Sequence, residues 1–193
     1  MYRFLSLLFF IFCLTACVST KVVQDQRPLH WSQVLPDVEL KNFYKVDDSL
    51  YRSAQPSSKE MKALNDYGIK TVLNLRLYWS DKQEGKHTNL VLLHQPLNTN
   101  KVSYDDIVYC MKTIQQAKKP LLIHCLHGSD RTGCMVAVYR MLYNGWTKEE
   151  AIKEFKAGGF GYHEKWFPNI LALLKSVDVE KLKREVFLAE SKQ

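Results

Sequence analysis

The sequence predicts an α/β domain: a central, mostly parallel sheet flanked by helices, with a helical C-terminal half. Three observations predict it. Short apolar, β-branched runs such as Ile69–Leu75 and Leu121–His124 read as strands buried on both faces, the mark of parallel sheets. Helix-opening capping boxes fall between these runs, so strand and helix alternate along the chain. Every periodic segment after His124 reads as helix.

Taken in order, Phe43–Val46 and Leu50–Arg52 read as two short strands around an Asp47-Asp48 turn. Ser57 with Glu60 opens a helix that Gly68 stops. Ile69–Leu75 is a buried strand and Leu90–His94 a second. Ser103 with Asp106 caps a helix running to about Lys118, which Pro120 ends. Leu121–His124 is the third buried strand, and Thr132–Tyr143 follows as a largely apolar helix. Thr147 with Glu150 caps the next helix, Gly158-Gly159 breaks it, and one or two more helices are expected between His163 and about Ala189.

The chain has 193 residues, and at roughly 150 residues per domain it supports one domain. With 46% hydrophobic residues, 24% charged residues and five cysteines, it is neither a disordered chain, a collagen nor a disulfide miniprotein. The net charge of +7 favours anionic partners. Trp31, Trp79, Trp146 and Trp166 show no stacking period for nucleic acid, so a phosphorylated substrate or an acidic membrane surface is the expectation.

Residues 1–16 place Arg3 before an apolar run too short to span a bilayer, the layout of a signal peptide. The run ends in Leu14-Thr15-Ala16-Cys17, which resembles a bacterial lipobox. The resemblance implies a lipidated Cys17 and a membrane anchor in a bacterial cell envelope, with Val18 pointing to the outer membrane, periplasmic side. Residues 17–40 are expected to be a tether and residues 41–193 the catalytic domain.

The chemistry lies in His124-Cys125-Leu126-His127-Gly128-Ser129-Asp130-Arg131-Thr132-Gly133, between a buried strand and a helix. A loop there aims successive backbone N–H groups at one point, and the helix dipole adds positive charge. A cysteine at its base can act as a nucleophile, because the same groups stabilise its thiolate. Arg131 returns to the mouth, where its planar fork can hold two phosphate oxygens. Gly128 suits a backbone turning with positive φ. The Thr132 hydroxyl can hydrogen-bond the sulfur. Leu126 to Arg131 are the expected phosphate-binding residues, with His124 and Thr132 in support.

This stretch carries the signature of the cysteine-dependent protein tyrosine and dual-specificity phosphatases, and the chain is identified as resembling that family. Tyr51–Pro56, Gly68–Arg76 and Gly158–Gly161 look like segments of its small bacterial members. The resemblance implies a phosphotyrosine protein phosphatase-like fold and a phospho-cysteine intermediate, with neither cofactor nor metal. It also implies a phosphorylated protein, small molecule or lipid head group as substrate. The family usually carries a mobile-loop aspartate that protonates the leaving oxygen. The corresponding Pro96-Leu97-Asn98-Thr99-Asn100 has no acid. Asp130 is the expected substitute, with Asp81, Asp105 and Asp106 as further candidates. The Asp130-bearing loop resembles that of lipid phosphatases, so phosphoinositides or inositol phosphates are an alternative substrate class.

Simpler roles stand beside these. His124 reads as a strand-end residue hydrogen-bonded to the loop, and His127 as a rim residue that either contacts substrate or faces solvent. A zinc set of His124, Cys125, His127 and Cys134 fits no common ligand spacing. Cys110 and Cys134 read as buried hydrophobes, either of which could instead pair with Cys125 under oxidation. Arg52 and Arg76 could add positive field to the pocket or form internal ion pairs. A rhodanese-type sulfurtransferase and a catalytically dead phosphate-binding module are the rival readings. Arg131 and Thr132 argue against the first, and the intact Cys125 and Arg131 against the second.

Overall fold

The computed structural model describes residues 27–36 and 38–187. Cys17 and the expected signal segment lie outside them. Six strands form one sheet in the order β1-β2-β3-β6-β4-β5. They are β1 (Gln33–Val34), β2 (Tyr44–Lys45), β3 (Leu50–Ser53), β4 (Thr71–Asn74), β5 (Val91–His94) and β6 (Leu121–His124). The β3-β6-β4-β5 part is parallel, while β1, β2 and β3 pair antiparallel. Asp47 makes the β2-β3 turn by accepting the Ser49 and Leu50 N–H groups with Oδ1, both at 2.9 Å.

Strand alternation sends side chains into two cores. Leu50, Leu73, Leu121 and Ile123 face the larger one, shared with the C-terminal helices. Tyr51, Val72 and Leu122 face a smaller one covered by Met61 and Leu64 of α1 (Ser58–Tyr67). The central strands are therefore buried on both faces, as their sequences predict. The second expected buried strand differs: β5 is an edge strand, with Val91 and His94 exposed. Its apolar composition signals a strand but not its place in the sheet.

The helices on the larger core are α2 (Tyr104–Gln116), α3 (Asp130–Tyr143), α4 (Lys148–Ala157), α5 (Pro168–Ser176) and α6 (Val179–Phe187). All three expected capping boxes form, and Gly68 closes α1 in the left-handed conformation at φ 107°. Almost every residue of α3 is buried, which explains why it has no polar face: sheet and helices surround it. Part of the expected tether is folded onto the domain. Trp31 and Val38 are buried, and Ser32 donates from its N–H and its hydroxyl to Glu154 of α4. Arg140 of α3 completes this buried cluster, its Nε 3.1 Å from Glu154 Oε2. The polar, irregular sequence of residues 18–40, with Pro28 and Pro36, reads as a tether because such a pattern does not reveal a polar side chain that satisfies a buried ion pair.

Candidate active site

The loop from Cys125 to Ser129 joins the end of β6 to the start of α3. Its shape is dictated by where its carbonyls go. The Leu126 carbonyl accepts from the Gln55 N–H at 3.1 Å, and that of His127 from Asn42 Nδ2 at 2.8 Å. The Gly128 carbonyl accepts from an Arg52 Nη at 2.6 Å, and that of Ser129 from the Gly133 N–H at 2.9 Å. Four successive carbonyls thus have partners that fix the turns of the loop, and a loop of this kind can gather its N–H groups into an anion-binding nest at a helix N-terminus. Gly128 adopts φ 71°, and a Cβ there would stand 2.4 Å from the Ser53 carbonyl oxygen, so the strand behind the loop leaves room only for glycine.

Cys125, just past the end of β6, is buried at 1% exposed, and Leu126 lies on the rim, 43% exposed. Arg131 is half-buried; one Nη lies 3.3 Å from each of the Leu75 and Leu97 carbonyls, and its buried Nε has no partner among the described residues. The buried Thr132 hydroxyl is also unpartnered. Unmet donors in the first turn of a helix suit an incoming oxyanion, since leaving them unmet costs about 1–3 kcal/mol each. The opening, 320 Å³ in volume, is walled by Arg76, Trp79, Leu97, Asn98, Leu126 and Arg131 among others. A larger groove of 620 Å³ lies between Arg27, Trp31 and α4 and contains no phosphate-loop residue.

Several remote groups brace the loop. Arg52 is fully buried beneath it, with its guanidinium 3.6 Å from the centre of the Phe160 ring. Burial pulls Arg52 down to about 10, with Glu154 and Cys125 opposing, so it is charged at neutral pH and its field reaches the cysteine. Ser129 Oγ donates to the Phe160 carbonyl at 2.6 Å, and Asn42 Nδ2 reaches the same carbonyl at 3.1 Å. The Gly158–Gly161 segment, which the sequence marks as a helix break and a family likeness, is therefore a clamp behind the loop. Asn42 itself is left-handed at φ 55°, a conformation asparagine tolerates, and it gave no sequence signal.

The expected acids are placed elsewhere. Asp130 is turned away from the opening: Oδ1 accepts from the His163 N–H at 2.9 Å, and Oδ2 lies 2.9 Å from His163 Nδ1. It opens α3, and its neighbour is a histidine that sequence reasoning did not single out. Asp81 is buried and accepts from Gln55, Asn74 and His124, the last at 2.7 Å. Burial pushes its carboxyl up, but the hydrogen bond and charge of His124 and the Gln55 amide outweigh this and hold it below its usual value. It is a carboxylate, not a proton donor. Asp105 and Asp106 lie in the first turn of α2, where Asp106 completes the cap with Ser103. None of these four acids lines the opening.

His124 is fully buried, with Nε2 on Asp81 and Nδ1 3.2 Å from the Cys125 carbonyl, so its ring touches the start of the loop. Arg76 lines the opening and donates to Gln55 Oε1 at 3.0 Å. Cys110 and Cys134 are fully buried in the core, where burial raises the Cys110 thiol and pushes that of Cys134 up to about 12. His127 is exposed, its ring 5.6 Å from that of His163.

Comparison with known proteins agrees with this geometry. The tyrosine phosphatase family model matches residues 37–168. The dual specificity protein phosphatase TpbA of Pseudomonas aeruginosa is 30% identical over 156 residues, 79% of this chain and 69% of TpbA. The inositol diphosphatase DSP5 of Arabidopsis thaliana is 28% identical over 159 residues, 74% of this chain and 72% of that protein. The solved structure of P. aeruginosa TpbA superposes with a TM-score of 0.74 at 29% identity, over 86% of this chain and 99% of the other. A second TpbA structure, with a cysteine-to-serine change and bound phosphotyrosine, gives the same score. With its cysteine loop assembled and most of its length matched, the chain belongs to the tyrosine phosphatase family and is a cysteine-dependent phosphatase.

Proposed function

We propose that Cys125 is the nucleophile and Arg131 the phosphate-holding residue of a two-step hydrolysis. The Cys125 sulfur attacks phosphorus, the P–O bond to the leaving group breaks, and a phospho-cysteine forms. Arg131 and the loop N–H groups stabilise the charge on the equatorial oxygens. Water then attacks phosphorus, and the sulfur leaves with a hydrogen bond from Thr132. The observation that carries this reading is the pair of unmet buried donors, Arg131 Nε and Thr132 Oγ1, in the first turn of the helix that follows the buried Cys125. Cys125→Ser should abolish turnover yet still bind orthovanadate, and Arg131→Lys should bind it weakly because the planar fork is gone. Turnover by Cys125→Ser above a trace would overturn the thiolate mechanism.

The substrates that fit best have leaving groups stable as anions, because among the described residues no carboxylic acid lines the opening. A phosphotyrosyl side chain is the first such group, supported by the TpbA complex with phosphotyrosine. A phosphoanhydride of an inositol phosphate is the second, favoured by the inositol diphosphatases among the relatives, since its leaving group is itself a phosphate. Phosphate release from a phosphotyrosyl peptide, a phosphoseryl peptide, a phosphoinositide and a diphosphoinositol phosphate separates these; phosphoserine as the best substrate would overturn the leaving-group argument.

The lipobox-like Leu14–Cys17 supports a further proposal: Cys17 is acylated and holds the domain at the bacterial envelope, on the periplasmic face of the outer membrane. Among the described residues no helix is long and apolar enough to cross a membrane.

A further inference from the structure

We propose that His127, Asp130 and His163 form a binding site for a divalent transition-metal ion of the zinc type on the rim of the phosphate loop. One ligand atom from each residue lies within 4.8 Å of the others. Tetrahedral zinc, with bonds of about 2.0–2.2 Å, holds its ligands roughly 3.3–3.6 Å apart. The 2.9 Å Asp130–His163 contact is a direct hydrogen bond, which a bound ion would replace by opening the pair a few tenths of an ångström. Closing the rest requires movement only at the exposed rings of His127 and His163, while the buried Asp130 stays fixed.

The surroundings resemble a built site. Asp130 Oδ1 is held by the His163 N–H, which leaves Oδ2 directed at the His163 ring. The His127 backbone is pinned through its carbonyl by Asn42. Ligands oriented by such outer partners bind metal more tightly than free ones. Two imidazoles and one carboxylate suit zinc, copper or nickel over magnesium or calcium, and three protein ligands leave a fourth position for water or a substrate oxygen. This set differs from the zinc set weighed in the sequence, whose His124 is committed to Asp81. The hydrolysis does not need the ion; it would join the loop to the segment that clamps it.

The test uses the full chain carrying Cys125→Ser, which removes the catalytic sulfur as a competing ligand. Calorimetric titration with Zn²⁺ should show one equivalent bound, and Co²⁺ should give the visible bands of a protein-bound ion. Adding His163→Ala or His127→Ala should weaken binding about tenfold or more, whereas His30→Ala, at an exposed histidine in the other groove, should leave it unchanged. A cooperative thermal unfolding transition checks that each variant is folded, and if His163→Ala fails that check, His127→Ala decides. No stoichiometric binding at millimolar metal, or equal affinity in the folded histidine variants, would overturn the site.

Discussion

Asn98→Asp would install the missing proton donor. Asn98 lines the opening with Leu126 and Arg131, and its side chain caps the short 3₁₀ turn Thr99–Lys101 by accepting the Asn100 N–H at 3.0 Å. Aspartate caps as well as asparagine, so folding should be almost unaffected. A positioned acid accelerates reactions by about 10²–10⁴, or about 2.7–5.5 kcal/mol, but only where the leaving oxygen needs the proton. When ionised, the new carboxylate repels the substrate by about 3 kcal/mol per pair of unit charges roughly 6 Å apart at an effective dielectric of about 20. The two effects predict opposite signs. Near pH ~5, where part of an ordinary carboxyl is protonated, kcat/KM for an alkyl phosphate should rise about tenfold or more. For an aryl phosphate with a strongly acidic phenol it should fall. The assay is phosphate release across a series of leaving groups, plotted as log kcat/KM against leaving-group acidity: steep for the parent, shallower for the variant. A flat plot for the parent, or an equal change for both classes in the variant, would refute the reasoning.

Gly128→Ala should lower kcat/KM about a hundredfold or more, because its Cβ would meet the Ser53 backbone at 2.4 Å and displace the loop donors; wild-type turnover would show that the loop tolerates the shift. Asp81→Asn faces three donors with an amide in place of a carboxylate and should cost about 1–3 kcal/mol in denaturant unfolding, with no loss pointing to a looser network. Burial pushes the Glu154 carboxyl up, but Arg140 and Ser32 hold it below its unfolded value of 4.5. Its contribution is therefore fully present above that value and lost as pH falls through the lower, folded one, so Tm should drop on acidification and Glu154→Ala should flatten that drop. Because the pair is buried, the same variant should cost about 3–5 kcal/mol at neutral pH. Cys17→Ser should release the full-length protein from the detergent phase of a bacterial host; wild-type protein in the aqueous phase would remove the anchor.

The sequence announces contiguous features far better than assembled ones. The capping boxes at Ser57, Ser103 and Thr147, the buried strands β4 and β6 and the cysteine loop are each written within a dozen residues, and each forms where expected. The edge position of β5 depends on strand order, which no local pattern states. The same holds for the acids. Asp130 stands beside Arg131 in the chain and suggests chemistry, but its partner is His163, and its direction follows from that contact. Asp81 was one candidate donor among several until the fold set it against His124. Arg52 had two readings, pocket field or internal partner, and its burial beneath Gly128 joins them.

The clamp behind the phosphate loop also sets when the enzyme can come alive. Cys125 and Arg131 are neighbours in the chain, but the loop is tied to Arg52, 76 residues before Gly128, and through Ser129 to Phe160, 31 residues after it. Asn42 and Phe160, which meet behind it, are 118 residues apart. Contacts of such separation close only after the entropy of long loops has been overcome. A chain made from its N-terminus thus presents its nucleophile well before the Phe160 segment that holds the loop in shape. The reactive centre is a late product of folding, and a partly emerged or partly unravelled chain carries the residues of a phosphatase without the activity of one.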